Sequence, residues 1–383
     1  MKKMFIIALI FLPSVIFAIG DNWYISTSSS GDASGNGWAN KSKFSTFNWG
    51  AVQPGDTVYL DGGTDSVVYD VNQYEINTHG SVASPIMITK GIDTGHNGKV
   101  IFRNTSSNYI GMELADITNT VFYNLEWKGL MTASGAETWL IDFGGSAVDV
   151  TFLYCTFTLN YSGGIGTNTE AISDNVKFLH CTSINNLDTG TNGSSDQFWL
   201  GGANHTNWEF GYCTFINNNP RTGAVVESSH RDIIQCESNW GRGGTFKIHH
   251  NFFDDRSAGA AGACIESEHL EGTWLIYNNV FKSNSTGANN TGMFSLLSLT
   301  ALTSATTTMT VYNNTFYAAS DMARTPSFYN WDNFTFKNNI VYSVPSNWWN
   351  MTVNDVTQNG NMVVDYNQYY NTGTSIAIYG ESS

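Results

Sequence analysis

Apolar residues recur along this chain in a fixed phase around one repeated position. In the stretch from Trp274 to Phe281, Trp274 and Ile276 alternate with outward positions, and Asn279 precedes another apolar residue, Phe281, by two positions. With Asn279 taken as an anchor, the same phase returns elsewhere at the anchors Cys155, Cys181, Cys213, Asn251, Asn314, Asn339 and Asn367. The intervals between anchors run from 25 to 38 residues. This spacing predicts a solenoid of strands whose coils each bury one face against their neighbours.

The anchor is expected to turn the chain while its side chain bonds along the solenoid axis. Asparagine suits both tasks, because it tolerates left-handed dihedral angles and hydrogen-bonds nearby backbone. The motif resembles the asparagine ladder of right-handed parallel β-helices, the pectate-lyase-like superfamily, over roughly residues 55 to 370. The resemblance implies an all-β fold, a right-handed parallel β-helix solenoid with an N-terminal strand and helix cap.

Cysteine replaces asparagine in the first three full coils, at Cys155, Cys181 and Cys213. Stacked strands lie about 4.8 Å apart, but side chains that point the same way have the wrong geometry for a disulfide. The sequence therefore predicts a ladder of buried free thiols.

The sequence predicts three consecutive segments: a secretory signal, an N-terminal cap and the β-helix. Residues 1–18 carry two lysines and an apolar run from Phe5 to Phe17, which predicts a secretory signal and a secreted bacterial protein, extracellular or periplasmic. Residues 19–57 resemble the N-terminal cap of secreted β-helix proteins, with a strand at Trp23 to Thr27 and helical turns from Phe44 to Val52. Residues 58–383 form the parallel β-helix. No later apolar run reaches membrane-spanning length, so membrane insertion is not expected.

The formal net charge of −15 disfavours nucleic acid and anionic membrane surfaces as partners. It also weighs against a polyanionic substrate unless a bound cation offsets the field. The resemblance implies a polysaccharide substrate, with uronate-containing glycans as one option. The oligomeric state is left open.

Candidate chemistry gathers on the third strand of the longest coil and of the coil after it. Alternation places Gln235 and Glu237 outward on one strand and Glu266 and Glu268 outward on the next. Stacking in register would set Gln235 over Glu266 and Glu237 over Glu268, roughly 5 Å apart. Asp232 would likewise stack on Asp196 of the preceding coil. We therefore predict a group of exposed carboxylates here.

Three chemistries are compatible with this group. First, Asp196, Asp232, Glu237, Glu266 and Glu268 could hold Ca²⁺, which takes six to eight oxygen ligands. The cation would neutralise a uronate carboxylate while a base takes the α-proton in β-elimination. Second, Glu237 and Glu268 could act as the acid and nucleophile of a glycosidase. Third, the group could bind a saccharide without reacting, as in an adhesin.

Basic and aromatic residues near the group supply further candidates. Arg256 lies where pectate-lyase-like enzymes would want a basic group, although an arginine is almost always protonated. His230 is a second catalytic candidate, and Lys247 is a third, although Lys177 and Glu209 at its phase also fit a salt-bridge row. The candidates for substrate contact are Trp199, Gln235, Trp240, Arg242, His269 and Tyr329, with Trp331 as a further outward aromatic.

One local resemblance bears on mechanism. Asp232 to Ser238 is similar in shape to the Glu-Ile-Ile-Ser-Val-Lys-Ser strand of the alginate lyase and chondroitinase B family, but Glu237 stands where that family has its catalytic lysine. The basic residues of the longest coil and the possible calcium cluster nevertheless favour a lyase of acidic glycans, with a glycoside hydrolase or a glycan-binding solenoid as alternatives.

Overall fold

The computed structural model describes residues 20–104, 110–129, 139–159, 164–167, 172–185, 196–201, 205–218, 232–237, 244–256, 263–283, 297–301, 307–318, 326–329, 331–343, 351–354, 361–371 and 378–379. These residues form three long parallel sheets, which we call A, B and C. Each coil passes from sheet A through the anchor to sheet B, then to sheet C, and then into the next coil. The parallel β-helix predicted from the anchor spacing is confirmed.

The strands of each sheet follow the chain order from coil to coil. Sheet A contains Asn22–Ser26, Ser42–Lys43, Thr57–Leu60, Ile86–Lys90, Ile117–Tyr123, Ser146–Leu153, Ile172–Asp174, Lys177–Leu179, His205–Thr206, Glu209–Gly211, Thr245–His249, Gly272–Tyr277, Thr307–Tyr312, Asn333–Lys337 and Asn361–Asp365. Sheet B contains Ser66–Asp70, Lys99–Asn104, Glu126–Gly129, Thr156–Leu159, Thr182–Asn185, Thr214–Asn217, Phe252–Asp255, Val280–Ser283, Thr315–Ala318, Ile340–Ser343 and Gln368–Asn371. Sheet C contains Tyr74–Glu75, Ile110–Glu113, Trp139–Phe143, Ile165–Thr167, Phe198–Gly201, Ile234–Glu237, Ile265–Leu270, Leu297–Ala301, Ser327–Tyr329, Met351–Asn354 and Ile378–Tyr379.

The first coil is closed by a short segment of mixed structure. Asn22–Ser26 pairs with Ser42–Lys43 on one side and with Thr57–Leu60 on the other, so the segment adds two strands to sheet A. Three short 3-10 helices, Trp38–Asn40, Phe44–Thr46 and Trp49–Ala51, lie between them. Buried aromatic side chains on these turns cover core that a bare coil would expose.

The core is built by stacking equivalent side chains of successive coils. Phe152 and Phe178 are Cα partners in sheet A, and their ring centroids lie 4.7 Å apart. In sheet B, Phe253 and Phe281 stack at 4.8 Å. Both spacings match the distance between neighbouring strands. Side chains at the same position relative to the anchor in successive coils therefore contact each other directly in the fold.

The asparagine ladder is present, but the left-handed residue is not the anchor. The residue just before each anchor takes the positive φ, for example Asn278 at 57° and His250 at 56°. Asn279 itself is buried; its Nδ2 donates to Ile248 O at 2.7 Å and to Asn314 Oδ1 at 3.0 Å. The two tasks predicted for one residue are thus divided between neighbours, because an inward-pointing side chain must follow the sharp bend.

The cysteine ladder is confirmed as free thiols. All five cysteines are buried and unbridged. Cys213 Sγ donates to Phe178 O at 3.2 Å, and it accepts the backbone N–H of Cys181 at 3.4 Å. A thiol therefore substitutes for the amide in the ladder, with weaker hydrogen bonds.

No helix in the described part of the chain has the length and apolar character needed to cross a membrane. Residues 1–19 lie outside the described ranges, so the secretory signal stays a prediction.

A buried histidine joins sheets A and C in the middle of the solenoid. His205 Nε2 lies 2.7 Å from Gly201 O and must carry the proton, so Nδ1 accepts from the Ser173 hydroxyl at 2.6 Å. Ser173 Oγ in turn accepts the Trp208 indole N–H at 2.9 Å. The neutral imidazole is fully hydrogen-bonded, and burial lowers the pKa of His205 to about 4.

We expect His205 to make the folded state sensitive to acid. Above about pH 6.5 the imidazole is neutral in both states. As the pH falls from 6.5 towards 4, the unfolded chain binds a proton that the folded chain does not, so unfolding becomes easier by about 3 kcal/mol. Asp142, whose pKa is raised to about 6, has the opposite pH dependence.

The measurement is therefore the difference in unfolding free energy between the wild type and His205→Phe, determined in urea at several pH values. The variant loses hydrogen bonds and is less stable than the wild type at neutral pH. The difference in unfolding free energy becomes smaller as the pH drops towards 4. A constant difference would contradict the assignment.

Candidate functional site

Polar and aromatic residues form a row along the outer face of sheet C. The row consists of residues that are Cα partners on successive strands: Glu113, Asp142, Gly166, Trp199, Gln235 and Glu266. The inward neighbours Ile141, Ile234 and Ile265 are core residues. Because neighbouring strands lie about 4.8 Å apart, the row runs for several coils along the solenoid axis. We call it the sheet C row.

Two carboxyl groups oppose each other at the N-terminal end of this row. Asp142 and Glu113 are direct Cα partners in adjacent strands. Asp142 is 5% exposed, whereas Glu113 is partly exposed. A Cβ on Gly144 would lie 2.4 Å from Glu113 Oε1, so the glycine leaves room for this carboxylate. Burial, followed by the charge of Glu113, raises the pKa of Asp142 to about 6. The Asp142 carboxyl group is therefore available as a proton donor up to about pH 6.

Two tryptophans lie beside this pair. The rings of Trp139 and Trp199 stack with centroids 5.2 Å apart and planes 24° from parallel. A Cβ on Gly166 would lie 2.4 Å from the ring of Trp139, and one on Gly201 would lie 2.4 Å from that of Trp199. Both glycines thus let an indole lie close against the sheet. The partly exposed rings offer apolar surface of the type that sugar faces contact.

Four of the predicted site residues lie in or beside the other end of the row, namely Asp196, Asp232, Gln235 and Glu266. The predicted register is confirmed, since Gln235 pairs with Glu266, and Asp232 N–H donates to Asp196 Oδ1 at 2.7 Å. Their predicted exposure is wrong: Asp196 is 2%, Asp232 0%, Gln235 3% and Glu266 5% exposed. Strand alternation determines which face a side chain occupies, but not whether the remaining chain covers that face.

Burial changes what this carboxylate group can do. Burial, then the charges of Glu266 and Asp196, raises the pKa of Asp232 well above its ordinary value. Its Oδ1 also accepts the backbone N–H of Ala263 in the next coil, so it supports a turn. Burial and the neighbouring charges therefore favour the protonated form of Asp232 over the carboxylate that a metal ligand requires.

The described residues alone do not form a calcium site. Across the described ranges, no three His, Cys, Asp or Glu side chains converge in an arrangement that suits a metal ion. The side chains of Glu237 and Glu268, which would have to complete the ligand set, lie outside the described residues. Calcium binding stays a prediction.

Other predicted site residues also lie outside the described part of the chain. His230, Trp240 and Arg242 fall outside it entirely, as do the side chains of His269 and Tyr329. Trp331, predicted to face outward, is 1% exposed and belongs to the core.

Arg256 is described, and it does not join the sheet C row. It follows the sheet B strand Phe252–Asp255, and its guanidinium group donates to Asp254 at 2.8 and 2.6 Å and to Asn218 at 3.1 Å. The hydrogen bond to Asp254 raises the pKa of Arg256. This pairing stabilises the charged form, which is the opposite of what a general base requires.

Lys247 lies in a different groove, on the outer face of sheet A. Lys177, Glu209 and Lys247 are Cα partners, as the predicted alternating row requires. With Asp149 and Asp174 they line a polar groove of about 350 Å³. His249 is hydrogen-bonded through Nε2 to Glu209 Oε1 at 2.9 Å. This hydrogen bond, together with the nearby lysine and histidine charges, outweighs the opposing effect of burial and leaves the pKa of Glu209 below its ordinary value.

Sequence reasoning missed Glu113, Trp139 and Asp142. They lie in the early coils, where the anchor pattern is weak, so no phase assigned them to a common face. The alternation in Trp139–Phe143 marks Asp142 as opposite to the core residue Phe143, which was the one available signal.

Fold and site define the class as a parallel β-helix with an acidic and aromatic outer row. No protein-family model matches the sequence, and no curated protein matches it either. A solved structure of a GH136 lacto-N-biosidase from Eubacterium ramulus is similar with a TM-score of 0.52 at 13% identity, covering 91% of this chain and 68% of that chain. A rhamnogalacturonan lyase has a TM-score of 0.48 at 13% identity, covering 94% and 90%. The pectate lyase Pel9A has 0.47 at 14%, covering 87% and 79%. At these identities the likeness concerns the fold alone.

Proposed function

We propose that this protein is a secreted carbohydrate-active enzyme that hydrolyses a glycan on the outer face of sheet C. The observation that carries the proposal is the Asp142–Glu113 pair: two carboxyl groups on partner strands, one with its pKa raised to about 6, beside two stacked tryptophans. Retaining glycosidases hold their two carboxyl groups about 5–5.5 Å apart. Strand partners at about 4.8 Å are spaced on that scale.

Each residue has a distinct role in this reaction. The Asp142 carboxyl group donates its proton to the glycosidic oxygen as the C–O bond breaks. Glu113 attacks the anomeric carbon and forms a glycosyl ester. Asp142, now a carboxylate, then takes a proton from water; the water oxygen bonds to the anomeric carbon, the ester breaks, and both carboxyl groups return to their starting state. Trp139 and Trp199 provide the surface against which a sugar ring stacks.

Charge favours hydrolysis over β-elimination at this place. β-Elimination of a uronate needs a cation to neutralise the sugar carboxylate, and among the described residues of the sheet C row there is no lysine, arginine or histidine. The row is acidic and the whole chain carries a net charge of −15, so it repels polyuronates. A neutral glycan or an amino sugar fits this field better.

The groove on sheet A supports a second candidate, the lyase favoured by the sequence. Lys177 and Lys247 flank Glu209 there, so two basic side chains are available, Lys177 to neutralise a uronate carboxylate and Lys247 to remove the α-proton. A glycan-binding protein without catalysis is the third possibility, because the fold alone does not imply an enzyme.

The test is an assay of the purified chain over a panel of neutral, amino-sugar and uronate glycans. Reducing ends are counted in parallel with the ultraviolet absorbance of unsaturated uronate products, with calcium and with a chelator. New reducing ends on neutral or amino-sugar glycans, without that absorbance, are the expected result. Absorbance on polyuronates would instead favour the sheet A groove, and saturable binding without either product would favour a binding protein.

A further inference from the structure

Two neighbouring histidines next to the sheet A groove have an arrangement that the proposed function does not use. His249 Nδ1 and His250 Nδ1 lie 3.1 Å apart, with the two rings at 87° to each other. Their positions are imposed by the bend before the anchor, since His250 takes a left-handed φ of 56°. His249 is 6% exposed, whereas His250 faces solvent.

The outer nitrogen of each ring is already engaged by a side chain. His249 Nε2 is 2.9 Å from Glu209 Oε1, so this nitrogen carries a proton and Nδ1 keeps its lone pair. His250 Nε2 is 3.0 Å from the side-chain amide of Asn278. Because an amide nitrogen donates, Nε2 of His250 accepts, and Nδ1 of His250 carries the proton that it donates to Nδ1 of His249. A cation bound by both inner nitrogens would take the place of this one proton.

The surrounding residues hold the two rings in place. A Cβ on Gly211 would lie 2.6 Å from His249 Cε1, so only glycine lets this ring cross its neighbouring strand to reach Glu209. Tyr277 stacks on His249 with centroids 5.0 Å apart, and Tyr212 stacks on His250 at 4.7 Å. The pair is preorganised before any ligand binds.

We propose that His249 and His250 bind one divalent transition-metal ion, such as Zn²⁺, Ni²⁺ or Cu²⁺, through their Nδ1 atoms. Metal–nitrogen bonds of about 2.05 Å to atoms 3.1 Å apart enclose an angle of about 98°. This angle lies between the right angle of tetragonal Cu²⁺ or Ni²⁺ and the tetrahedral angle of Zn²⁺. A carboxylate on the far nitrogen of a histidine ligand is the usual supporting contact, and Glu209 supplies it. Since no third His, Cys, Asp or Glu completes the set among the described residues, water fills the remaining positions.

The test is a titration of the tag-free full chain with ZnCl2 by calorimetry, together with the electron paramagnetic resonance spectrum of the Cu²⁺ form. We expect one equivalent of saturable binding and coupling of Cu²⁺ to two imidazole nitrogens. His250→Gln lowers the affinity at least about tenfold, and Glu209→Gln lowers it about tenfold while leaving both ligands in place.

His180→Gln is the matched control. His180 occupies the same turn position two coils earlier and is exposed, stacked at 4.8 Å on both Tyr154 and Tyr212, but its preceding residue is Leu179. This variant keeps wild-type affinity. Circular dichroism and melting temperature confirm that the variants fold. No saturable binding by the wild type, or binding that survives His250→Gln, overturns the proposal and leaves the two rings as a hydrogen-bonded pair only.

Discussion

Asp142→Asn is expected to lower the rate of glycan cleavage about 10²- to 10⁴-fold, the usual contribution of a positioned general acid. The amide is nearly isosteric but cannot give a proton to the leaving oxygen. Glu113→Gln should cost a comparable factor, because it removes the nucleophile and also the charge that helps raise the pKa of Asp142. Both losses appear in kcat, measured as reducing ends released from whichever glycan the wild type cleaves.

The pH profile provides an independent readout. Asp142 must be protonated in the first step, so wild-type activity is present below its pKa of about 6 and falls as the pH rises through that value. The residual activity of Asp142→Asn should not fall as the pH rises through about 6. Trp199→Ala should mainly raise KM, because it removes a binding surface and no reacting group.

Glu126→Gln is a suitable control, since Glu126 lies on sheet B in a surface ion pair with Lys99 at 3.8 Å. It should retain wild-type kinetics. If Asp142→Asn also retains wild-type kinetics, Asp142 is not the acid, and Glu237 and Glu268 become the remaining carboxylate pair to test.

Asn279→Ala should destabilise the folded protein by roughly 3–5 kcal/mol. Asn279 Oδ1 accepts the backbone N–H of Asn251 at 2.9 Å, and its Nδ2 donates to Ile248 O at 2.7 Å. Alanine leaves that N–H and that C=O buried without their partner, at about 1–3 kcal/mol each, and adds a small cavity. Urea denaturation with circular dichroism measures the loss.

The thiol rungs offer a comparison within the same ladder. Cys181 Sγ lies 3.3 Å from Phe152 O, a weak contact, so Cys181→Ala should cost only about 1–2 kcal/mol. Asn279→Cys should fall between the two alanine variants, because a thiol already serves at the equivalent position of Cys213. Equal losses for Asn279→Ala and Cys181→Ala would mean that packing, and not hydrogen bonding, determines the stability of the ladder.

Much of the architecture was predictable because the ladder repeats in phase. An anchor with apolar residues five and three positions before it indicates the inward face, and stacking in register would then pair Gln235 with Glu266, as the structure shows. The free thiols followed in the same way. The position of the left-handed residue could not be predicted in this way. Asn278 and Asn279 are consecutive, and an asparagine at either position can adopt a left-handed conformation.

The candidate site was less predictable, for a physical reason that its residues illustrate. Alternation assigned Gln235 and Glu266 to the outer face, but it does not determine exposure, and both residues are buried. Asp142 and Glu113 belong to coils with irregular spacing, and Glu113 helps to raise the pKa of Asp142 only because two strands bring the residues together. His249 reaches Glu209 only because a residue in another coil is glycine.

By itself, then, the sequence determined the solenoid, its register and the inward face of each strand, since these depend on local periodicity repeated many times. The tertiary structure alone decided which outward carboxyl groups are buried, which are neighbours and which residues face an open groove. Those properties arise from contacts between coils of unequal length, and no local pattern encodes them.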